Sequence, residues 1–198
     1  IKQFDEEHDI NVVQGWGMTE TSPLATANLR TKEMEAMPKE EMYKLQTKQG
    51  KPVYGVELKI VDDDGKRLAE DGEAFGRLLI RGPWVNKRYY KFEEDAVDAD
   101  GWFDTGDISS IDPAGYMTIV DRAKDVIKSG GEWISSVDLE NAAFGHPDIA
   151  EACVVGIPHP KWDERPLLFV VSNSGNEFNR EELDELMLKK FEKWQLPD

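Results

Sequence analysis

The chain has 198 residues, a length that suits one large domain or a medium one joined to a small one. Hydrophobic residues make up 39%, enough for a core, and the formal net charge of −16 argues against a surface that tracks phosphate backbones, so nucleic acid is not an expected partner. A single cysteine, Cys153, excludes an internal disulfide and a CxxC metal site, and its apolar setting in AEACVVGI predicts a buried structural thiol.

In chain order, IKQFDEEHDI opens directly in an amphipathic helical pattern and does not read as a signal peptide. INVVQGWGMTETSP reads as an apolar strand running into a Gly-rich turn. From about Thr31 to Gln49 the residues are charged and Met-rich with helical propensity, which predicts a surface excursion. Strand signals follow in VELKIVD, closed by the turn DDDG, and in AFGRLLIRG. Asp62-Asp63-Asp64-Gly65 mimics the start of a calcium loop but lacks its closing Glu, so it reads as a hairpin turn. ISSID and GYMTIVDR flank the turn PAG. Short strands joined by such turns predict a small, mostly antiparallel barrel or sandwich.

After Arg122 the pattern changes. Ser135 and Ser136 precede the apolar-periodic DLENAAFG, with Asp138 three residues after Ser135, an N-cap signature. Pro147 ends that helical region, the strands EACVVGI and LLFVVS follow, and a helix EELDELMLKKFEKW begins behind Asn179 with Glu182 three residues on. This is a compact α+β module, so two domains are expected, residues 1–121 and 122–198. No apolar run approaches the ~20 residues of a membrane span.

Three short blocks carry chemistry. In Gly15-Trp16-Gly17-Met18-Thr19-Glu20, Trp16 offers a flat face for a base, Thr19 a hydroxyl for phosphate and Glu20 an oxygen for Mg2+; the bland alternative is an ordinary strand-to-loop turn. In Gly101-Trp102-Phe103-Asp104-Thr105-Gly106-Asp107 the last carboxylate is held on a tight glycine turn, where it can accept from both hydroxyls of a ribose. In DRAKDVIKSGGEWISSVDLE, Arg122 can donate to ribose or phosphate oxygens.

In this order and spacing the blocks resemble the adenylate-forming superfamily of acyl-CoA synthetases, nonribosomal peptide adenylation domains and beetle luciferases. QGWGMTETSP resembles its aromatic-Gly-x-Thr-Glu motif, GWFDTGD its Thr-Gly-Asp motif, and the stretch from Asp121 to Glu140 its junction motif. IKSGGEWISSVDLE and HPKWDERP look most like fatty- and medium-chain acyl-CoA ligases. The resemblance implies an α+β fold: the C-terminal, barrel-like β subdomain of the large adenylate-forming domain, followed by the small mobile α+β C-terminal domain. It implies a cytoplasmic enzyme whose partners are small molecules, with ATP, Mg2+ and CoA as cofactors and co-substrates and a carboxylic acid as substrate; a homo-oligomer is left open. A carboxylate attacks ATP to give acyl-adenylate and pyrophosphate, then the CoA thiol displaces AMP, with the small domain swinging between the steps.

By the same resemblance Trp16 with Gly17 meets adenine, Thr19 and Glu20 serve phosphate and Mg2+, and Asp107 with Arg122 grips the ribose. Lys124 is the hinge, Gly130 and Gly131 line the pantetheine tunnel, and Trp133 lies against it. The family's phosphate loop, ending Gly-x-Pro-Lys, and its adenylation lysine, in a Pro-x-x-x-x-Gly-Lys segment, have no counterpart in the sequence. Lys189, Lys190 and Lys193, on a helical face, are poor substitutes. A fragment of a larger enzyme is therefore expected, inactive alone, and Arg88-Tyr89 is a minor departure where the family often has Gly-Tyr. The alternatives are another adenylate-former, loading a carrier protein or working as a luciferase does, and a degenerate nucleotide-binding module. His8, His146 and His159 lack ligand spacing and read as turn chemistry where proline adjoins them, and Arg165 reads as a local ion pair.

Overall fold

The computed structural model describes residues 1–173, 175 and 179–198. The chain divides into two compact units, Ile1–Ile119 and Val120–Asp198. The first opens with helix α1 (Lys2–His8) and a three-stranded antiparallel sheet of β1 (Gln14–Trp16), β2 (Thr26–Asn28) and β3 (Lys51–Pro52). Of the expected apolar strand, only residues 14–16 join a sheet; residues 10–13 lie outside any strand.

Two short helices, α2 (Lys32–Glu35) and α3 (Lys39–Gln46), fill the Met-rich stretch. They are more than a surface excursion, because Met34, Met42 and Tyr43 bury together as a small core of their own. Thr31 caps α2 by accepting from the Met34 N–H. Asp5 of α1 ties this region together: it accepts from Arg30 at 2.7 Å and from the Tyr43 hydroxyl at 2.7 Å.

A second antiparallel sheet runs in the order β4 (Glu57–Val61), β5 (Phe75–Arg81), β6 (Phe103–Ile111), β7 (Met117–Arg122). Strict alternation along β5 turns Leu78 and Ile80 into a core with Ile60, Phe103, Ile111 and Met117. Each such side chain contributes roughly 1.5–3 kcal/mol by leaving water. The Asp62 carboxylate accepts from the backbone of Asp64 and Lys66, so DDDG is a turn held by its own first residue. The expected barrel does not close among the described residues. β4 and β7 end the sheet, and β7 meets the chain before β3 only in a single antiparallel bridge, Met117 with Gly50; β3 itself is two residues long, too little chain to carry the continuous stagger that closure needs.

The second unit holds a four-stranded antiparallel sheet in the order β10-β11-β8-β9, from β8 (Ile127–Ser129), β9 (Glu132–Ile134), β10 (Ile149–His159) and β11 (Asp163–Ser172). Helices α4 (Ser136–Ala143) and α5 (Arg180–Met187) bring Leu139, Ala142, Ala143, Leu183 and Met187 into its core with Ile127, Ile134 and Val154. Both caps fall on the expected residues: Ser135 accepts from the Asp138 N–H, and Asn179 accepts from the Glu181 N–H while donating to Glu182. α5 stops at Met187, well short of the expected helix, so Lys189 and Lys190 lie beyond it and Lys193 opens a 3-10 turn.

Cys153 is exposed, against expectation. The alternation of β10 turns Val154 inward, which leaves its neighbour facing out however apolar the surrounding run.

Candidate functional site

In the first unit the chain leaves β1 at Trp16 and turns through Gly17 into a 3-10 turn, Thr19–Thr21. Gly17 is required sterically, since a Cβ there would sit 1.8 Å from the Pro23 carbonyl oxygen. The fully buried Thr21 locks the turn: its hydroxyl accepts from the Met18 N–H at 2.9 Å and donates to the Pro23 carbonyl at 2.7 Å. That leaves Thr19 exposed and Glu20 half-buried on the same turn. The motif's two threonines thus differ, Thr21 buried and bonded and Thr19 exposed, and only the structure separates them.

Asp107 does not sit on a tight turn. It lies within β6 at a bulge, where the register shifts so that Leu78 of β5 faces Thr105, Gly106 and Asp107. The bulge is held by the Thr105 hydroxyl, which donates to the Leu78 carbonyl and accepts from the Asp107 N–H, and by Asp104, which accepts from the Gly106 N–H. Gly106 takes a φ of 72° there. Asp107 is only 2% exposed, and the indole Nε1–H of Trp16 donates to its Oδ2 at 3.1 Å. Two of the three sequence blocks are thereby brought together.

Glu20 has a partner that the sequence did not reveal. The Tyr89 hydroxyl donates to its Oε1 at 2.8 Å, and its backbone carbonyl accepts from Asn86 at 2.7 Å. The same segment is gripped further along, where the Ser22 hydroxyl donates to the Trp84 carbonyl and the Trp84 indole to the Leu24 carbonyl. The hydrogen bond to the Glu20 carboxylate raises the Tyr89 phenol above its ordinary pKa.

In the second unit, Arg122 is exposed and closes a tight turn, its carbonyl accepting from both Asp125 and Val126 at 2.9 Å. Lys124 projects from that turn with its side chain 81% exposed. The preceding Asp121 is buried and accepts from the backbone N–H and the hydroxyl of Ser136, anchoring the start of α4. Gly130 and Gly131 form the tip of the β8–β9 hairpin with φ of 63° and 88°, and Trp133 stands on β9 with the Lys128 ammonium 5.2 Å from its ring centre. A cleft of about 450 Å³ opens beside Gly130, lined also by His159, Trp162, Arg165 and Trp194.

Trp162 and Trp194 carry no signal in sequence that would place them together. Arg165 does form an ion pair, but with a partner distant in sequence: it pairs with Asp198 at 3.1 Å and donates to the carbonyls of Trp194 and Leu196. The expected turn roles of two histidines also appear, with His146 Nδ1 accepting from Asp148, and His159 Nδ1 from Lys161 and Trp162.

A buried carboxylate tied to an aromatic donor, beside a turn that presents a hydroxyl and a second carboxylate, is an arrangement suited to holding a nucleotide. Comparison with known proteins places the class. Residues 1–90 match the AMP-binding enzyme family model and residues 138–198 the model of the AMP-binding enzyme C-terminal domain. The chain belongs to this adenylate-forming family. Over all 198 residues it is 52% identical to a 3-methylmercaptopropionyl-CoA ligase of Ruegeria lacuscaerulensis and 48% identical to a medium-chain-fatty-acid–CoA ligase of Ectopseudomonas oleovorans. It covers 37% and 36% of those proteins, so the chain spans a little over a third of the length of the curated relatives it matches. Among solved structures, o-succinylbenzoate CoA synthetase of Bacillus subtilis with its acyl-adenylate intermediate superposes with a TM-score of 0.79 at 30% identity, covering 98% of this chain and 38% of that one.

Proposed function

We propose that the chain is part of an ATP-dependent acyl-CoA synthetase, a cytoplasmic acid–thiol ligase that activates a carboxylic acid, of the fatty-acid type, as its adenylate and passes the acyl group to CoA. The observation that carries this reading is the Trp16–Asp107 hydrogen bond, which joins two nucleotide motifs into one site. In the first step the substrate carboxylate attacks the α-phosphorus of ATP and pyrophosphate leaves. In the second the CoA thiol attacks the acyl carbon and AMP leaves.

Asp107 accepts from the ribose hydroxyls, and the face of the Trp16 indole meets adenine with Gly17 beside it. Thr19 donates to a phosphate oxygen. Glu20 suits Mg2+, which is commonly held by one or two carboxylates together with substrate phosphates. The ion would neutralise phosphate charge there. Arg122 donates to ribose or phosphate oxygens. Gly130, Gly131 and Trp133 serve CoA, and the aromatic cleft beside Gly130 supports that assignment.

ATP–pyrophosphate exchange with a panel of fatty acids tests the reading, run on the chain and on a form extended at both ends. Exchange in the extended form alone, lost with Asp107→Ala, is the expected result. Nucleotide binding without exchange in either form would instead identify a degenerate binding module.

A further inference from the structure

The loop that follows β5 is built to reach back to Glu20. Its base is tied by Arg88, which donates to Asp95 through two nitrogens at 2.8 and 2.6 Å, and by Ala96, which donates to the Lys87 carbonyl at 2.8 Å. Phe92 steadies the Tyr89 ring from the side, 6.0 Å between centres and tilted by 63°. The segment donates to Glu20 twice, from the Asn86 N–H, just before these ties, to the Glu20 backbone carbonyl, and from the Tyr89 hydroxyl, within them, to the carboxylate. The hydroxyl uses Oε1 alone.

We infer that Tyr89 is a positioning residue for Glu20: its phenol holds the carboxylate in the orientation that takes a divalent cation. The inference rests on the reading of Glu20 as a metal ligand. A free glutamate side chain loses rotamer freedom when it is ordered, and a donor that orders it beforehand removes that cost from metal binding. The same proton draws charge from Oε1 and opposes binding, yet ligating carboxylates are themselves commonly hydrogen-bonded, and loss of such a partner costs roughly 10–100-fold in metal affinity. Orientation is therefore the larger effect.

The test uses Tyr89→Phe in the full-length protein, with Mn2+ and ATP as the probe followed by electron paramagnetic resonance. The expected result is a Mn2+ affinity weakened roughly tenfold. In pyrophosphate exchange the half-saturating Mg2+ concentration rises in parallel, while the rate at saturating Mg2+ and the metal-free affinity for AMP stay near those of the parent. Arg88→Ala loosens the base of the same loop and keeps the phenol, and it leaves the metal dependence unchanged. An unaltered Mn2+ affinity in Tyr89→Phe beside intact exchange overturns the inference alone, as does an equal shift in Arg88→Ala. Absence of exchange in the parent protein, with Mn2+ affinity independent of Glu20, overturns the ligase reading as well.

Discussion

The indole nitrogen of Trp16 lies 3.1 Å from Oδ2 of Asp107, across 91 residues of sequence. One partner leaves a three-residue strand at its glycine turn, and the other is buried at a bulge in β6. The indole, proposed to offer its face to a base, therefore also orients the carboxylate that is proposed to hold the ribose.

Replacing Trp16 by Phe keeps a ring and removes the donor. A hydrogen bond to a charged group contributes about 1.5–3 kcal/mol, so AMP affinity of the full-length protein is expected to fall roughly tenfold or more. Titration calorimetry checks this; unchanged affinity would show that Asp107 needs no indole to hold it.

Gly17 and Gly106 are required for different reasons, and alanine distinguishes them. At Gly17 the new Cβ meets a carbonyl oxygen at 1.8 Å, so the backbone must move. At Gly106 the space is open and only the positive φ resists, a cost of about 1–2 kcal/mol. Thermal unfolding should show the larger loss of Tm for Gly17→Ala. The reverse order would mean that the turn after β1 shifts easily.

Lys124 occupies an exposed position in the turn closed by Arg122. Proline there fixes φ and restricts Ala123 before it. With Lys124 as the proposed hinge, Lys124→Pro spares adenylate formation and blocks thioester formation. Single-turnover measurement of each half-reaction decides, and equal survival of both removes Lys124 from that role.

Asp138 supplies a pH dependence. Burial, and then the nearby Asp121 carboxylate, raise its pKa above the ordinary 3.8. The folded state thus binds this proton more tightly than the unfolded chain. Its contribution is fully favourable below pH 3.8 and is lost as pH rises through the raised value, leaving at neutrality an ionised side chain, exposed on α4, in surroundings that disfavour its charge. Asp138→Asn is accordingly expected to raise Tm at pH 7, with the advantage shrinking as pH falls toward 4. A constant advantage at every pH would point to a cause other than titration.

Much of this was legible locally. The caps at Ser135 and Asn179 follow from spacings of two or three residues, the alternation of β5 from a period of two, and the DDDG turn from an aspartate accepting from its own backbone. Each needs only neighbours in sequence, as do the short motifs that carry the family resemblance. The Arg88-Tyr89 departure concerns Arg88 alone, which pairs with Asp95 nearby, whereas the bond from Tyr89 to Glu20 spans 69 residues and no local pattern records it.

By itself, then, the sequence determined the elements, the caps and the chemical inventory of the site, because those depend on turn chemistry and side-chain period along a few consecutive residues. Tertiary structure decided the rest: that the sheets stay open, that Cys153 faces outward, that Thr21 is structural while Thr19 is exposed, and that Trp16 and Tyr89 each hold a carboxylate. The physical reason is register. A bulge of a residue or two in β6 or β10 decides which side chains meet across strands, and it is selected by the summed packing of distant segments that no local pattern records.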